Sequence, residues 1–168
     1  MMESSYTETD VEKRATAKEK GLVFLMGFGI AVSFFLMLAV SGYFLLLMFA
    51  LIALMVYMTP RLMNVMYEYV FIDGQLDFEK IFAKSARKKI YTVDFDKVDI
   101  CAPENSHALD GYRHNGVEVK DFTSLEPGRN VFCLVVTEGE RHTLVRFEPD
   151  EKLLKAMKQK SPRKISEC

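Results

Sequence analysis

The sequence predicts a membrane α-helical hairpin followed by a small β-rich, α+β domain, an antiparallel sheet or barrel closed by a C-terminal helix. Three observations carry this prediction. Residues 21–58 contain no charged side chain. Between residues 66 and 147, apolar residues alternate in short runs punctuated by Asp-Gly, Asn-Gly and Pro-Gly turns. After Pro149 the period changes from two to the helical one.

The apolar block is the longest feature. A buried helix of a soluble protein carries a polar stripe at helical spacing, and residues 21–58 have none. As one helix the block would extend about 57 Å at 1.5 Å per residue, against a hydrocarbon core of about 30 Å. Two crossings fit, broken at Ser41-Gly42-Tyr43, where Ser and Gly are weak helix formers and Tyr suits the headgroup level. The expected spans are 21–40 and 43–58, with Thr59-Pro60-Arg61 stopping the second. A cleaved secretory signal would have a shorter apolar core, about 7–15 residues, ending at a small-residue cleavage site. Gly27 with Ala31, Gly29 with Ser33, and Ala50 with Ala53 offer small surfaces for helix packing.

A hairpin leaves both chain ends on one side. Lys13, Arg14, Lys18 and Lys20 precede it and Arg61 follows, whereas the connecting turn has no basic residue. The preference of Lys and Arg for the cytoplasm places both termini inside, on the inner membrane. Cys101, Cys133 and Cys168 are an odd number without disulfide-like spacing, in keeping with a reducing compartment. Residues 1–20 lack a repeating apolar face and read as a disordered polar tail.

Residues 61–168 form the cytoplasmic domain and hold equal numbers of acidic and basic side chains, which argues against nucleic acid as a partner. In 66–72, Tyr67, Tyr69 and Phe71 share one strand face; Asp73-Gly74 is a hairpin turn; 75–82 returns, with a slip of parity before Ile81. Residues 89–95 and 98–100 read as further strands, 101–129 as a turn-rich loop with a strand at 117–119, and 130–137 with 140–147 as a hairpin about Glu138-Gly139. Asp150 is an N-cap candidate for a helix that lays Leu153, Leu154 and Met157 on the sheet and ends at Pro162.

With these elements in place, the sequence resembles an uncharacterised family of bacterial two-span membrane proteins with a cytoplasmic pleckstrin-homology-like (PH-like) domain. The resemblance rests on Tyr67-Glu68-Tyr69-Val70-Phe71, Gly74-Gln75-Leu76-Asp77, Lys80-Ile81, Lys84-Ser85-Ala86-Arg87-Lys88, and the closing Lys160-Ser161-Pro162-Arg163. It covers the chain from residue 21 onward and implies a fold and an anchor, with no established activity. Fold alone does not give function.

Two constellations could carry chemistry. Lys84, Arg87, Lys88 and Lys89 are candidates for anionic lipid headgroups, worth about 1 kcal/mol per cation near the surface; as a solvated, charged hairpin they would instead guard a sheet edge. Cys101, His107, Asp110 and His114 bring nucleophile, base and acid into one loop, the ingredients of an enzyme, but fit no zinc-ligand pattern. No P-loop, GxGxxG, GxSxG or HExxH motif occurs. The expectation is therefore a non-enzymatic interaction or scaffold domain, without catalytic residues, metal or cofactor. Its partners would be the lipid bilayer and another membrane or cytoplasmic protein.

Overall fold

The structure is a computed structural model that describes residues 6–82, 86–113, 117–139 and 141–166. The chain divides into two compact units, one of Met1–Lys13, Met66–Ile81 and Arg87–Cys168, the other of Arg14–Val65 with Phe82–Ala86.

The second unit is the helical hairpin. Helix α1 spans Ala17–Ala39 and α2 spans Phe44–Met63, so the break falls at residues 40–43 as the weak helix formers require. Both are long and apolar enough to cross a membrane. α1 begins earlier than the apolar run because Thr16 and Glu19 form a capping box that satisfies the first amides. α2 does not stop at Pro60 but continues to Met63. Its last turn is supported by Arg61, which stacks 3.9 Å from the Tyr57 ring centroid and donates to the Tyr57 hydroxyl, and by a hydrogen bond from the Asn64 amide to the Pro60 carbonyl. Where the helices meet, Gly29 leaves room for Leu51: a Cβ there would lie 3.5 Å from its Cδ1. Ser33, the buried residue of α1, returns its hydroxyl to the Gly29 carbonyl at 2.8 Å.

The first unit is PH-like in outline, two four-stranded sheets and a C-terminal helix. Strands β1 (Thr7–Lys13), β2 (Val65–Ile72), β3 (Gln75–Phe82) and β4 (Ala86–Asp94) form one sheet in that order. Strands β5 (Val98–Pro103), β6 (Glu118–Asp121), β7 (Phe132–Glu138) and β8 (Arg141–Phe147) form the other, in the order β5-β7-β8-β6. The disordered tail expected over 1–20 is corrected by β1 and the first turn of α1: Thr7, Thr9, Val11 and Lys13 are half-buried while Glu8, Asp10 and Glu12 face out, a strand alternation that β2 completes with backbone partners. The Asp73-Gly74 turn has positive φ at both residues (50° and 93°), the geometry that matches the twist of a two-residue hairpin. The parity slip in β3 falls between Phe78 and Ile81, both buried.

The second sheet is not purely antiparallel. β6 pairs with β8 in parallel, Glu118 opposite Thr143 through Asp121 opposite Arg146, because β7 intervenes in the chain before β8 returns beside β6. The loop expected over 101–129 is partly ordered: residues 101–103 extend β5, and His107–Tyr112 make a 3-10 turn. That turn brings Leu109 onto Ala102, Cys133, Val135 and Leu144, so both faces of β7 are buried. Between the sheets lies an aromatic core. Phe122 stacks on Phe78 at 4.7 Å, Tyr69 meets Phe78 and Phe147 edge-on at 5.5 and 5.7 Å, and the Tyr69 hydroxyl donates to the Phe122 carbonyl at 2.5 Å. The following turn is fastened by Glu148, whose carboxylate accepts from the Ser124 amide (2.9 Å) and hydroxyl (2.8 Å). Helix α3 (Glu151–Lys160) starts at Asp150, which accepts from the Leu153 amide at 2.7 Å, and buries Leu153, Ala156 and Met157.

Phe122, just past β6, packs its ring against Tyr67, Phe78 and Tyr91 of the other sheet. Phe122→Ala is expected to lower unfolding stability by about 3–5 kcal/mol, whereas exposed Val119→Ala, on β6, should change it by less than about 0.5 kcal/mol. Urea denaturation of the full chain in detergent, followed by tyrosine near-ultraviolet dichroism, measures both.

Candidate functional site

The basic cluster lies on β4, an edge strand whose residues 86–90 are all exposed. Lys84 falls outside the described residues. Of the other three candidates, Arg87 and Lys89 are engaged by acids of the same sheet. Arg87 Nη1 lies 3.0 Å from Glu68 Oε2, and Lys89 Nζ donates to Asp77 Oδ2 at 2.6 Å. Asp77 also accepts from Thr92 at 2.6 Å, and its hydrogen bond raises the Lys89 pKa above the ordinary lysine value. Lys88 is exposed beside them.

Glu68 is the unexpected member. It sits on the outer face of β2, yet its side chain is only 1% exposed. Glu8 and Asp10 of β1 approach so that one oxygen from each of the three carboxylates lies within 4.8 Å of the others. Burial first, and then the Glu8 hydrogen bond and charge, push Glu68 up to about 7; the same hydrogen bond, followed by one from Tyr6, holds Glu8 below its ordinary value.

The cysteine–histidine loop is taken apart by the fold. Cys101 is fully buried on β5, while the His107 side chain is entirely exposed in the 3-10 turn, 3.1 Å from Asp110 Oδ2; His114 lies outside the described residues. Burial pushes the Cys101 thiol up, with a smaller contribution from Cys133, and pushes the Cys133 thiol up to about 11. A thiol so disfavoured as thiolate is a poor nucleophile. The two are not a disulfide pair in waiting either. Cys101 lies opposite Leu134 and Ala102 opposite Cys133, so the sulfurs belong to opposite faces of the sheet.

A half-open depression of about 330 Å³ lies at Pro103, Glu104, Asn105, Arg129, Asn130, Val131 and Phe132. Its charged groups are engaged: Glu104 pairs with Arg146 at 2.8 Å and Arg129 with Glu126 at 2.8 Å.

The model of a family described as a bacterial PH-like domain, DUF6106, matches residues 3–167. The chain belongs to this family. No curated protein and no solved structure matches it. The match reaches back over β1 and through both apolar helices of this PH-like chain.

Glu8, Asp10 and Glu68 were missed by the sequence reading. Glu68 stands between Tyr67 and Tyr69, where strand alternation marks it as outward-facing and hence solvated. Its burial follows from an assembly that includes β1, and the available signal was the Thr-Glu-Thr-Asp-Val alternation of residues 7–11.

For the thiols of this PH-like sheet the expectation is inertness. Cys101 and Cys133 should resist iodoacetamide at pH 8 in the folded protein and react fully in guanidinium, as read by peptide mass mapping. Rapid native labelling of Cys101 would contradict its burial.

Proposed function

We propose that the protein is a membrane-anchored PH-like module that serves, without catalysis, as an interaction or scaffold domain on the cytoplasmic face of the inner membrane. The observation that carries the anchor is the pairing of β1 with β2. One strand precedes the apolar helices and the other follows them, and they are hydrogen-bonded neighbours. Strands paired in one sheet lie on one side of a membrane, so the intervening chain crosses an even number of times. α1 and α2 suit that role: Phe24, Phe35, Leu46 and Val56 are each about two-thirds or more exposed, a surface whose natural solvent is lipid. The basic residues Lys13, Arg14, Lys18, Lys20 and Arg61 bracket the apolar run of the two helices, and residues 40–43 have none, which supports the cytoplasmic assignment.

Cysteine labelling in spheroplasts tests this topology. In a Cys168→Ser background, a membrane-impermeant maleimide should label Gly42→Cys, in the connecting turn, from outside. It should label Lys152→Cys, on the exposed face of α3, only after lysis. Labelling of Lys152→Cys in intact spheroplasts would refute the orientation.

The interaction role rests on β4. Residues 86–90 present an exposed run on an edge strand, a surface that can accept another chain. The same exposure favours a second reading, direct contact of Lys84, Arg87, Lys88 and Lys89 with anionic lipid, although the ion pairs of Arg87 and Lys89 reduce the charge they offer. A photo-crosslinking residue in place of Lys88, activated in native membranes, separates the two. Protein adducts of defined mass support the scaffold; adducts to lipid alone support headgroup contact and overturn the scaffold.

A further inference from the structure

β1 is held with little apolar help. Of its residues Thr7–Lys13 only Val11 has a purely hydrocarbon side chain, and β1 lies at the edge of its sheet, paired to β2 on one side. Electrostatics therefore weighs heavily in whether it stays docked. On the outer face of the β1–β2 seam lie three carboxyl groups, Glu8, Asp10 and Glu68, with Arg87, whose side chain is 61% exposed, paired to Glu68. Fully ionised, the seam would place the Glu8 and Asp10 charges beside the buried Glu68 carboxylate, whose counter-charge among the described residues is the Arg87 guanidinium at 3.0 Å.

We propose that a proton shared between Glu68 and Glu8 fastens β1 to the sheet, so that β1 docks and releases with pH. Glu68 in its acid form donates to the Glu8 carboxylate, a charge-assisted bond across the seam, and Tyr6 donates to the other side of the same group at 2.5 Å from Glu8 Oε2. The pair titrates as a unit, holding one proton over a range and losing it as a second step.

The direction follows from linkage. The docked state holds Glu68 protonated up to about 7, whereas the released chain gives up that proton near the ordinary glutamate value of 4.5. Docking therefore weakens as pH rises from about 4.5 to about 7 and is flat above. At the acid end Glu8 acts in the opposite sense: its lowered value makes docking weaken again as pH falls through it. Docking is strongest between the two steps. The remaining charged groups on the elements around the seam are Glu12 and Lys13 of β1, Asp77, Glu79 and Lys80 of β3, and Glu151, Lys152, Lys155, Lys158 and Lys160 of α3, which packs against β1. Asp77 is held by Lys89 and Thr92.

Hydrogen–deuterium exchange of the full chain in lipid nanodiscs tests the device, with labelling times scaled for the intrinsic pH dependence of exchange. Protection of the β1 amides should be at least tenfold greater at pH 6 than at pH 8.5, while β7 amides show no change. Glu68→Gln, which cannot ionise, should bring that ratio close to one. Glu8→Gln, an exposed substitution that does not touch the core, should shrink it and keeps the test decisive if Glu68→Gln fails to fold. A wild-type ratio near one, or a ratio that survives Glu8→Gln unchanged, overturns the proposal.

Discussion

The architecture depends on one backbone pairing, that of β1 with β2. The two strands belong to sequence segments separated by the entire helical hairpin, and their hydrogen bonds make a single sheet from both. Without β1, β2 would be an edge strand, and Glu68 would lose the neighbours that cover it. A fragment starting after α2 would thus lack a strand of its own sheet. The helical pair is better described as an insertion into the PH-like unit than as an anchor attached to its front.

Inside that unit the aromatic core decides which segments are structural. Tyr67, Tyr69, Phe71 and Phe78 were legible because strand alternation has a period of two and their partners are polar or outward-facing. Phe122 was not. It stands in a turn-rich stretch between Asp121 and Thr123, where no periodicity marks it, and its burial results from rings that belong to β2, β3 and β4. The break between the helices, the Asp73-Gly74 turn and the Asp150 cap were legible for a related reason: each is set by the local chemistry of two or three residues. β1 and the parallel pairing of β6 were not, since both are completed by strands remote in sequence.

The candidate site shows the same division. A count of cations finds Lys84, Arg87, Lys88 and Lys89 but does not find their partners, and Glu68 and Asp77 alter the meaning of Arg87 and Lys89. Sequence proximity likewise suggested a shared site for Cys101 and His107, whereas β5 takes the first into the interior and the 3-10 turn leaves the second in solvent. Charge and reactivity here are properties of faces, and faces are assigned only when strands find their neighbours.

The insertion of the helices between neighbouring strands has a consequence for the order of events during synthesis. β1 leaves the ribosome first, and its partner follows only after about fifty further residues, a closure whose entropic penalty grows slowly with length. Helices form within about a microsecond, so the two arms of the hairpin can shorten that excursion before β2 is complete. Meanwhile β1 waits as an unpaired strand, the kind of segment that recruits wrong partners. Glu8, Asp10 and Glu12 give it a row of like charges on alternate positions, which repels a second nascent copy until the intended neighbour arrives.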